Sequence, residues 1–319
     1  MTQSQKQKNR ARKWKRFRRT WPLLLFTLPS FIWLIIFYYI PVFGNVVAFK
    51  NFKFSSNGGF WQSIIESEWV GFKNFEFLFA SKNAYIITRN TVLYNLFFIF
   101  VGLLIAVSFA IILSQMRNRM LVKTIQTSML LPYFLSWVIV SFFVSSFISP
   151  DKGLIARLMA DYGANMGNWY AKPKVWPPLL LFLGIWKGIG YSSVIYFAAI
   201  VGIDRTYYEA AEVDGASKWQ QIRHVMIPQI VPMMVTLTIL AMGSIFRADF
   251  GLFYQIPRNS GLLYNVTAVL DTHIFNALTS SGDISMATAA GLYQSFVGFI
   301  LLVIANLIVR RIDKDSAII

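Results

Sequence analysis

Six stretches of the chain, at about 21–40, 91–113, 127–148, 178–203, 230–246 and 286–309, are almost free of charge, and polar segments separate them. About 20 apolar residues, rising ~1.5 Å each, cross the ~30 Å hydrocarbon core of a bilayer. Each stretch therefore predicts a spanning helix, and the fold class expected is all-α: a polytopic membrane protein of six transmembrane helices. In the first stretch Pro22 suits a helix start and Pro29 predicts a kink, which membrane helices tolerate where neighbours satisfy the freed carbonyl. Pro132 lies near the start of the third stretch, and Lys187 interrupts the fourth.

Charge sets the orientation. Nine of the 30 Lys and Arg residues precede Trp21, with no acid among them. Together with Arg117, Arg119 and Lys123, the loop 204–228, and Arg310, Arg311 and Lys314, they alternate onto one side, which is the cytoplasm by the positive-inside rule. Both termini are then cytoplasmic, and the longer, aromatic-rich segments face outward. The basic run abuts an apolar span, so it reads as an anchor to anionic lipids and not as a nucleic-acid patch. The first span, at 20 residues, exceeds the h-region of a signal peptide and lacks a cleavage site, so it is expected to be retained. The expected organisation is a basic cytoplasmic segment at 1–20, a six-helix domain at 21–309 and a cytoplasmic tail at 310–319.

The whole chain of 319 residues is 56% hydrophobic and only 14% charged, which fits a bilayer protein and not a soluble domain. It has no cysteine, which excludes disulfides and thiol chemistry, and its histidines, His224 and His273, are too far apart in sequence for a metal motif. No phosphate-cradling Gly-x4-Gly-Lys-Ser/Thr sequence and no catalytic constellation is present, so no enzymatic activity is expected of this chain.

The loop 204–228 carries unusually organised capping signals. Thr206-Tyr-Tyr-Glu209 fits a capping box, Ala210, Ala211 and Glu212 favour helix, and Gly215 suits a left-handed stop. Ser217-Lys-Trp-Gln220 fits a second capping box, opening a second short helix to about Ile227 with Trp219, Ile222 and Met226 as its apolar face. Pro228 and Pro232 mark its join to the fifth span. The first helix displays Glu209, Glu212 and Asp214 on a small Ala-Ala base, a surface that a basic partner can approach closely.

These residues, Glu209-Ala-Ala-x3-Gly215 continuing through Ile222 to Ile227-Pro228, resemble the "EAA" loop of permease subunits of binding-protein-dependent ABC importers. Leu28-Pro29 and the general spacing resemble the carbohydrate-uptake class, and within it the oligosaccharide and polysaccharide permeases. The resemblance implies a type I importer permease fold in the bacterial cytoplasmic membrane. It implies a second homologous permease subunit, two ATPase subunits that bind the ATP and Mg, an extracytoplasmic solute-binding protein, an oligosaccharide substrate, and no cofactor or nucleic acid for this chain. It also implies that Glu209, Ala210, Ala211, Glu212, Asp214 and Gly215 form a coupling helix against the ATPase. Ile227 stands where the family often has leucine. The rival readings are an ion-coupled secondary transporter, which would want polar groups at broken mid-span helices, and a membrane-embedded glycan-processing enzyme, which would want carboxylate or histidine groups at the membrane surface.

The transport path is harder to read. Lys187 lies within a span, so it either contacts substrate or a gate, or is paired with an acid or carbonyl, or snorkels outward. Arg247 and Asp249 sit near the end of the fifth span and need separate partners. Trp186, Tyr191 and Tyr196, with Phe246, Phe250, Phe253 and Tyr254, are candidates for stacking on a sugar. Gly184-x3-Gly188 predicts a close helix approach.

Overall fold

The computed structural model describes residues 3–56, 58–150, 153–162 and 167–312. Lys314 and the rest of the expected tail beyond Ile312 lie outside the described residues, as do the side chains of the basic N-terminal run from Lys6 to Arg19. The chain divides into two compact units, Met1–Asn74 and Phe75–Ile319.

In the first unit, helix α1 (Gln3–Leu34) runs on through π-helical Ile35–Tyr39 into Ile40–Phe43. The basic run and the first apolar stretch are therefore one helix. Pro22 does not start it, because the Lys, Arg, Gln and Ala residues upstream are themselves good helix formers. Pro29 also lies inside α1. None of the most apolar window within Thr20–Phe49 is buried. Beyond it, the two-residue strands β1 (Lys50–Asn51) and β2 (Glu68–Trp69) pair antiparallel around a short helix, α2 (Phe60–Glu66). Lys50 closes this subfold by donating from Nζ to the Ile64 carbonyl at 2.6 Å and the Ser67 carbonyl at 3.3 Å, which satisfies the end of α2.

The second unit is a helical bundle built from α3 (Lys82–Gln115), α4 (Arg119–Phe134), α5 (Trp137–Ile148), α6 (Leu154–Asp161), α7 (Trp176–Val201), α8 (Arg205–Val213), α9 (Lys218–Gly243), α10 (Phe250–Gln255), α11 (Leu270–Asn276) and α12 (Ile284–Ile312). Among the described residues five helices are long and apolar enough to span a membrane, and a sixth span exists if the pair α4 and α5 counts as one. No more than 28% of any span's most apolar window is buried, so the apolar faces look outward as lipid requires.

The third predicted span is not straight. α4 and α5 meet at 96°. Leu135 and Ser136 are extended, and the Ser136 hydroxyl accepts from the Ile139 amide at 3.3 Å, starting a new helix. The predicted outer segment 247–285 also differs from expectation: Leu252, Phe253, Ile256, Leu263, Val269 and Leu270 are buried in it. It is sewn to α3 by a stripe of polar groups. Asn90 Nδ2 donates to the Ala268 carbonyl at 2.9 Å, Leu270 N–H to Thr91 Oγ1 at 2.9 Å, the Tyr94 hydroxyl to the Val266 carbonyl at 2.8 Å and Asn95 Nδ2 to the Arg247 carbonyl at 3.1 Å. Irregular backbone is tolerated here because side chains on a neighbouring helix satisfy it.

The close helix approach is made at Gly184, as predicted, and more tightly at Gly190, but not at Gly188. A Cβ on Gly188 would meet nothing within 4 Å, and one on Gly184 would meet the Phe98 ring. A Cβ on Gly190 would overlap the Met129 carbonyl, so Gly190 is what lets α7 press against the backbone of α4.

Candidate functional site

The loop between α7 and α9 is built by local chemistry. Asp204, not Thr206, caps α8: its Oδ1 accepts from the Thr206 N–H at 3.0 Å. The expected Thr206/Glu209 box does not form, because a carboxylate two residues earlier meets the helix's positive end and fixes the start there. That backbone bond holds the Asp204 carboxyl below its ordinary range. Glu209 thereby falls in the second turn, exposed, with no hydrogen-bond or ion-pair partner among the described residues.

The far end of α8 closes as the sequence predicts. Gly215 is left-handed at φ +77°, with its N–H on the Glu212 carbonyl at 3.0 Å and the Ala216 N–H on the Ala211 carbonyl at 2.9 Å. The Ser217/Gln220 capping box is present, the Ser217 N–H donating to Gln220 Oε1 at 2.7 Å. Glu212 is used internally: its carboxylate pairs with Lys218 Nζ at 2.6 Å, which clamps α8 to α9 and holds its pKa below the ordinary value. Ala210, Val213, Asp214 and Gly215 are exposed, Val213 at 89%, and Ala211 is half-buried. The outer surface of the knob is thus Glu209, Ala210, Val213 and Asp214.

The second helix of the loop does not stop at Ile227. It continues as α9 through a π-helical turn, Ile222–Met226, just ahead of Pro228. Widening the helix there takes up the amide that proline lacks. The turn also rotates the predicted apolar face: Met226 is buried, Ile222 half-buried, but Trp219 is exposed and Gln221 is buried in its place.

Further into the bundle, two cavities adjoin, sharing Phe98, Gly102 and Ser192. One, of about 300 Å³, is lined by Tyr133, Trp137, Lys187 and Asp249 among others. The other, of about 390 Å³, is lined by Asn95, Tyr191, Ser244 and Arg247 among others. Lys187 Nζ donates to the Tyr133 carbonyl at 2.8 Å and lies 5.3 Å from the Trp137 ring centre. Tyr133 is in the last turn of α4, so a cation there meets a carbonyl freed by the break and the helix's negative end. Of the readings open for Lys187, the structure realises pairing with a carbonyl, on a side chain that still faces a cavity.

Asp249 accepts from Trp137 Nε1 at 2.7 Å and caps α10 through the Gly251 N–H at 3.0 Å. Arg247 is exposed, with Nη2 3.4 Å from Ser295 Oγ, and the next residue's N–H is held by Asp271 Oδ2 at 2.7 Å. Burial pushes the Asp271 carboxyl above its ordinary range. Tyr191 stacks on Tyr133 at 4.8 Å. Trp186 is not brought to these cavities and packs on the core around Trp176 and Leu180. Phe246 and Phe253 are likewise core residues. Sequence reasoning missed Tyr133, Trp137 and Asn95, because the partners of Asn95 are backbone groups 150 residues away and the Ser136 cap lies inside an unbroken apolar run.

Residues 98–314 match the family described as binding-protein-dependent transport system inner membrane component. The polygalacturonan/rhamnogalacturonan transport system permease protein YteP of Bacillus subtilis (strain 168) is 30% identical over 294 residues, covering 92% of this chain and 89% of that one. Protein LplB of the same strain is 31% identical over 297 residues, covering 92% and 90%. Among solved structures, a bacterial ABC transporter that imports the acidic polysaccharide alginate matches with a TM-score of 0.82 at 29% identity, covering 95% of this chain and 99% of that chain. A bacterial alginate ABC transporter in complex with an alginate pentasaccharide-bound periplasmic protein matches equally, at 0.82 and 30%.

Proposed function

The chain belongs to the binding-protein-dependent transport system inner membrane components, and from that premise we propose that it is the translocating permease of an ATP-driven importer for acidic oligosaccharides. It is a multi-pass membrane subunit of an ABC importer. In this reading α8 is the coupling helix on the cytoplasmic side. Glu209 pairs with a basic group of an ATPase subunit, Ala210 and Ala211 allow close approach, and Val213 fills an apolar recess. Glu212 and Gly215 keep the knob in shape, and Asp214 adds acid to its outer face. A second, homologous permease completes the path, two ATPase subunits bind ATP and Mg, and an extracytoplasmic binding protein delivers the sugar.

The observation that carries the coupling role is the preformed knob: α8 is capped at both ends and clamped by the Glu212–Lys218 pair, yet leaves the Glu209 carboxylate and Val213 uncovered. A buffer-facing loop has no need of such order, whereas a lever must be stiff to transmit displacement. Closure of the ATPases on ATP would then shift α8, and with it α9 and the ends of α7, opening the path outward. Hydrolysis would reset it. Lys187 and Arg247, on adjoining cavities with the stacked Tyr133 and Tyr191 rings, supply charge and a flat apolar face for a carboxylated sugar chain. Asp249 orients Trp137 beside Lys187. Two of the similar proteins are named for the transport of polygalacturonan/rhamnogalacturonan and of the acidic polysaccharide alginate.

The test is co-purification with candidate ATPase subunits and a second permease, followed by ATPase assays with a loaded binding protein. We expect Glu209→Lys to reach the membrane in normal amount and to lose uptake and ATPase stimulation together. Normal uptake in that variant would remove the coupling role from α8.

A further inference from the structure

A separate polar hollow of about 280 Å³ lies behind α8, lined by Ser114 and Gln115 at the end of α3, Arg205 and Tyr208 of α8, and Lys218 and Gln221 of α9, among others. Its polar groups are mostly donors. The Tyr208 hydroxyl is buried with no hydrogen-bond partner among the described residues. Arg205 has no ion-pair or hydrogen-bond partner among them either. Lys218 gives one N–H to Glu212 and one to Gln221 at 3.1 Å, leaving a third. Gln115 Nε2 reaches only Ser114 Oγ, at 3.3 Å. No carboxylate lines the hollow. A buried donor without an acceptor is costly; here the buried Tyr208 hydroxyl lies beside two exposed cations, Arg205, which is unpaired among the described residues, and Lys218, which is paired with Glu212.

We propose that this hollow binds an oxyanion of the phosphate class, held by Arg205, Lys218 and the Tyr208 hydroxyl. A guanidinium presents paired N–H groups that match two phosphate oxygens, the ammonium adds a point charge, and the hydroxyl donates a third bond. So bound, the anion ties α8 to the ends of α3 and α9 and stiffens the knob. The phosphate has two sources, free phosphate or the headgroup of an anionic phospholipid. The rim residue Val201, 64% exposed at the end of α7, suits the acyl edge of a lipid. The chemistry depends on the cluster alone and not on what α8 docks against.

The test uses the full chain at constant ionic strength. Amide hydrogen exchange over residues 205–221 and the thermal midpoint are read in neutral detergent with increasing inorganic phosphate. They are read again in phosphatidylcholine nanodiscs with and without phosphatidylglycerol. We expect exchange to slow and the midpoint to rise with at least one of the two. Arg205→Gln should raise the half-saturating concentration ~10-fold, the loss of one charge-assisted contact. Tyr208→Phe should weaken the response as well, while melting no lower than the parent without anion, because it deletes the unpaired hydroxyl. A response to phosphate assigns a free anion, and a response to phosphatidylglycerol alone assigns the headgroup. No response to either, or equal half-saturation in parent and both variants, overturns the site. Uptake is not read, so failure here leaves the coupling role of Glu209 untouched.

Discussion

At Lys187 a single ammonium serves the Tyr133 carbonyl at 2.8 Å and the rings of Tyr133 and Trp137 at 5.5 and 5.3 Å. All three belong to the break between α4 and α5. Lys187→Met keeps the bulk of the stem but leaves the carbonyl without its donor, and we expect a loss of about 1 kcal/mol of stability, measured as a lower thermal midpoint. Lys187→Arg should keep most of it. Glu212 gives a pH test of the knob. Its folded pKa lies below the ordinary 4.5, first through the hydrogen bond from Lys218 and then its charge. A depressed acid stabilises fully above its unfolded value and loses that contribution as pH falls through the folded one. Amide protection between residues 205 and 221, corrected for the intrinsic pH dependence of exchange, should therefore be flat above pH 4.5 and fall below it, and Glu212→Gln should remove the step. The change is small because the pair is solvent-exposed. At this scale the sequence made Lys187 visible, since a charge in a span is conspicuous, but not its partner, which lies 54 residues away. Nor could it separate Glu212, which is used internally, from Glu209, which is free, because both look alike as acids on one short helix.

Helices in this bundle are positioned by what their neighbours leave room for. Gly190 is the case that discriminates. Adding a Cβ there drives it into the Met129 backbone, which cannot swing aside as a side chain can, so α7 and α4 must separate. We expect Gly190→Ala to cost about 1–3 kcal/mol, read by thermal unfolding. Gly188→Ala, with open space around it, should be nearly silent. The reverse ranking would mean that α7 is rotated about its axis. The Gly184-x3-Gly188 spacing held at Gly184, against the Phe98 ring of α3, and not at Gly188, because a motif names a face without saying which neighbour meets it. The 135–136 break was hidden for a related reason: the stretch 127–148 keeps its hydropathy through the turn, and a serine cap inside an apolar run carries no signal until the helix angle is known. By contrast, the ends of α8 at Gly215 and of α9 at Ser217 were legible, because left-handed glycine and the capping box are local chemistry that needs no distant partner.

The membrane class of the whole chain was readable because the bilayer fixes one length for every span. The folding of segment 247–285 into the bundle was not, because its anchors, Asn90, Thr91, Tyr94 and Asn95, pair with backbone more than 100 residues away and leave no periodic trace. What that segment contributes is Arg247 and Asp249, brought to the cavities that also hold Lys187 and Tyr191. Both cavities have a cation and an aromatic ring, and the single carboxylate on them, Asp249, already accepts from Trp137 and caps α10. A neutral sugar would gain stacking and hydroxyl contacts but leave the cations unanswered, whereas a uronate chain would meet both. In reconstituted vesicles with the complete transporter, acidic oligosaccharides should therefore drive uptake and ATPase turnover, and neutral ones of equal length should not. Charge reversal separates recognition from folding. Arg247→Glu, on an exposed side chain that donates weakly to Ser295 and whose charge favours the nearby Asp271 carboxylate, should lower the thermal midpoint only slightly. It should lower uptake of the acidic chain by ~10-fold or more, the worth of one charge-assisted contact, and spare any basal ATPase rate. If neutral and acidic chains are carried equally by the parent, or if Arg247→Glu carries the acidic chain at the parent's rate, these cavities do not select substrate by charge, and the preference must be set wholly by the binding protein that delivers it.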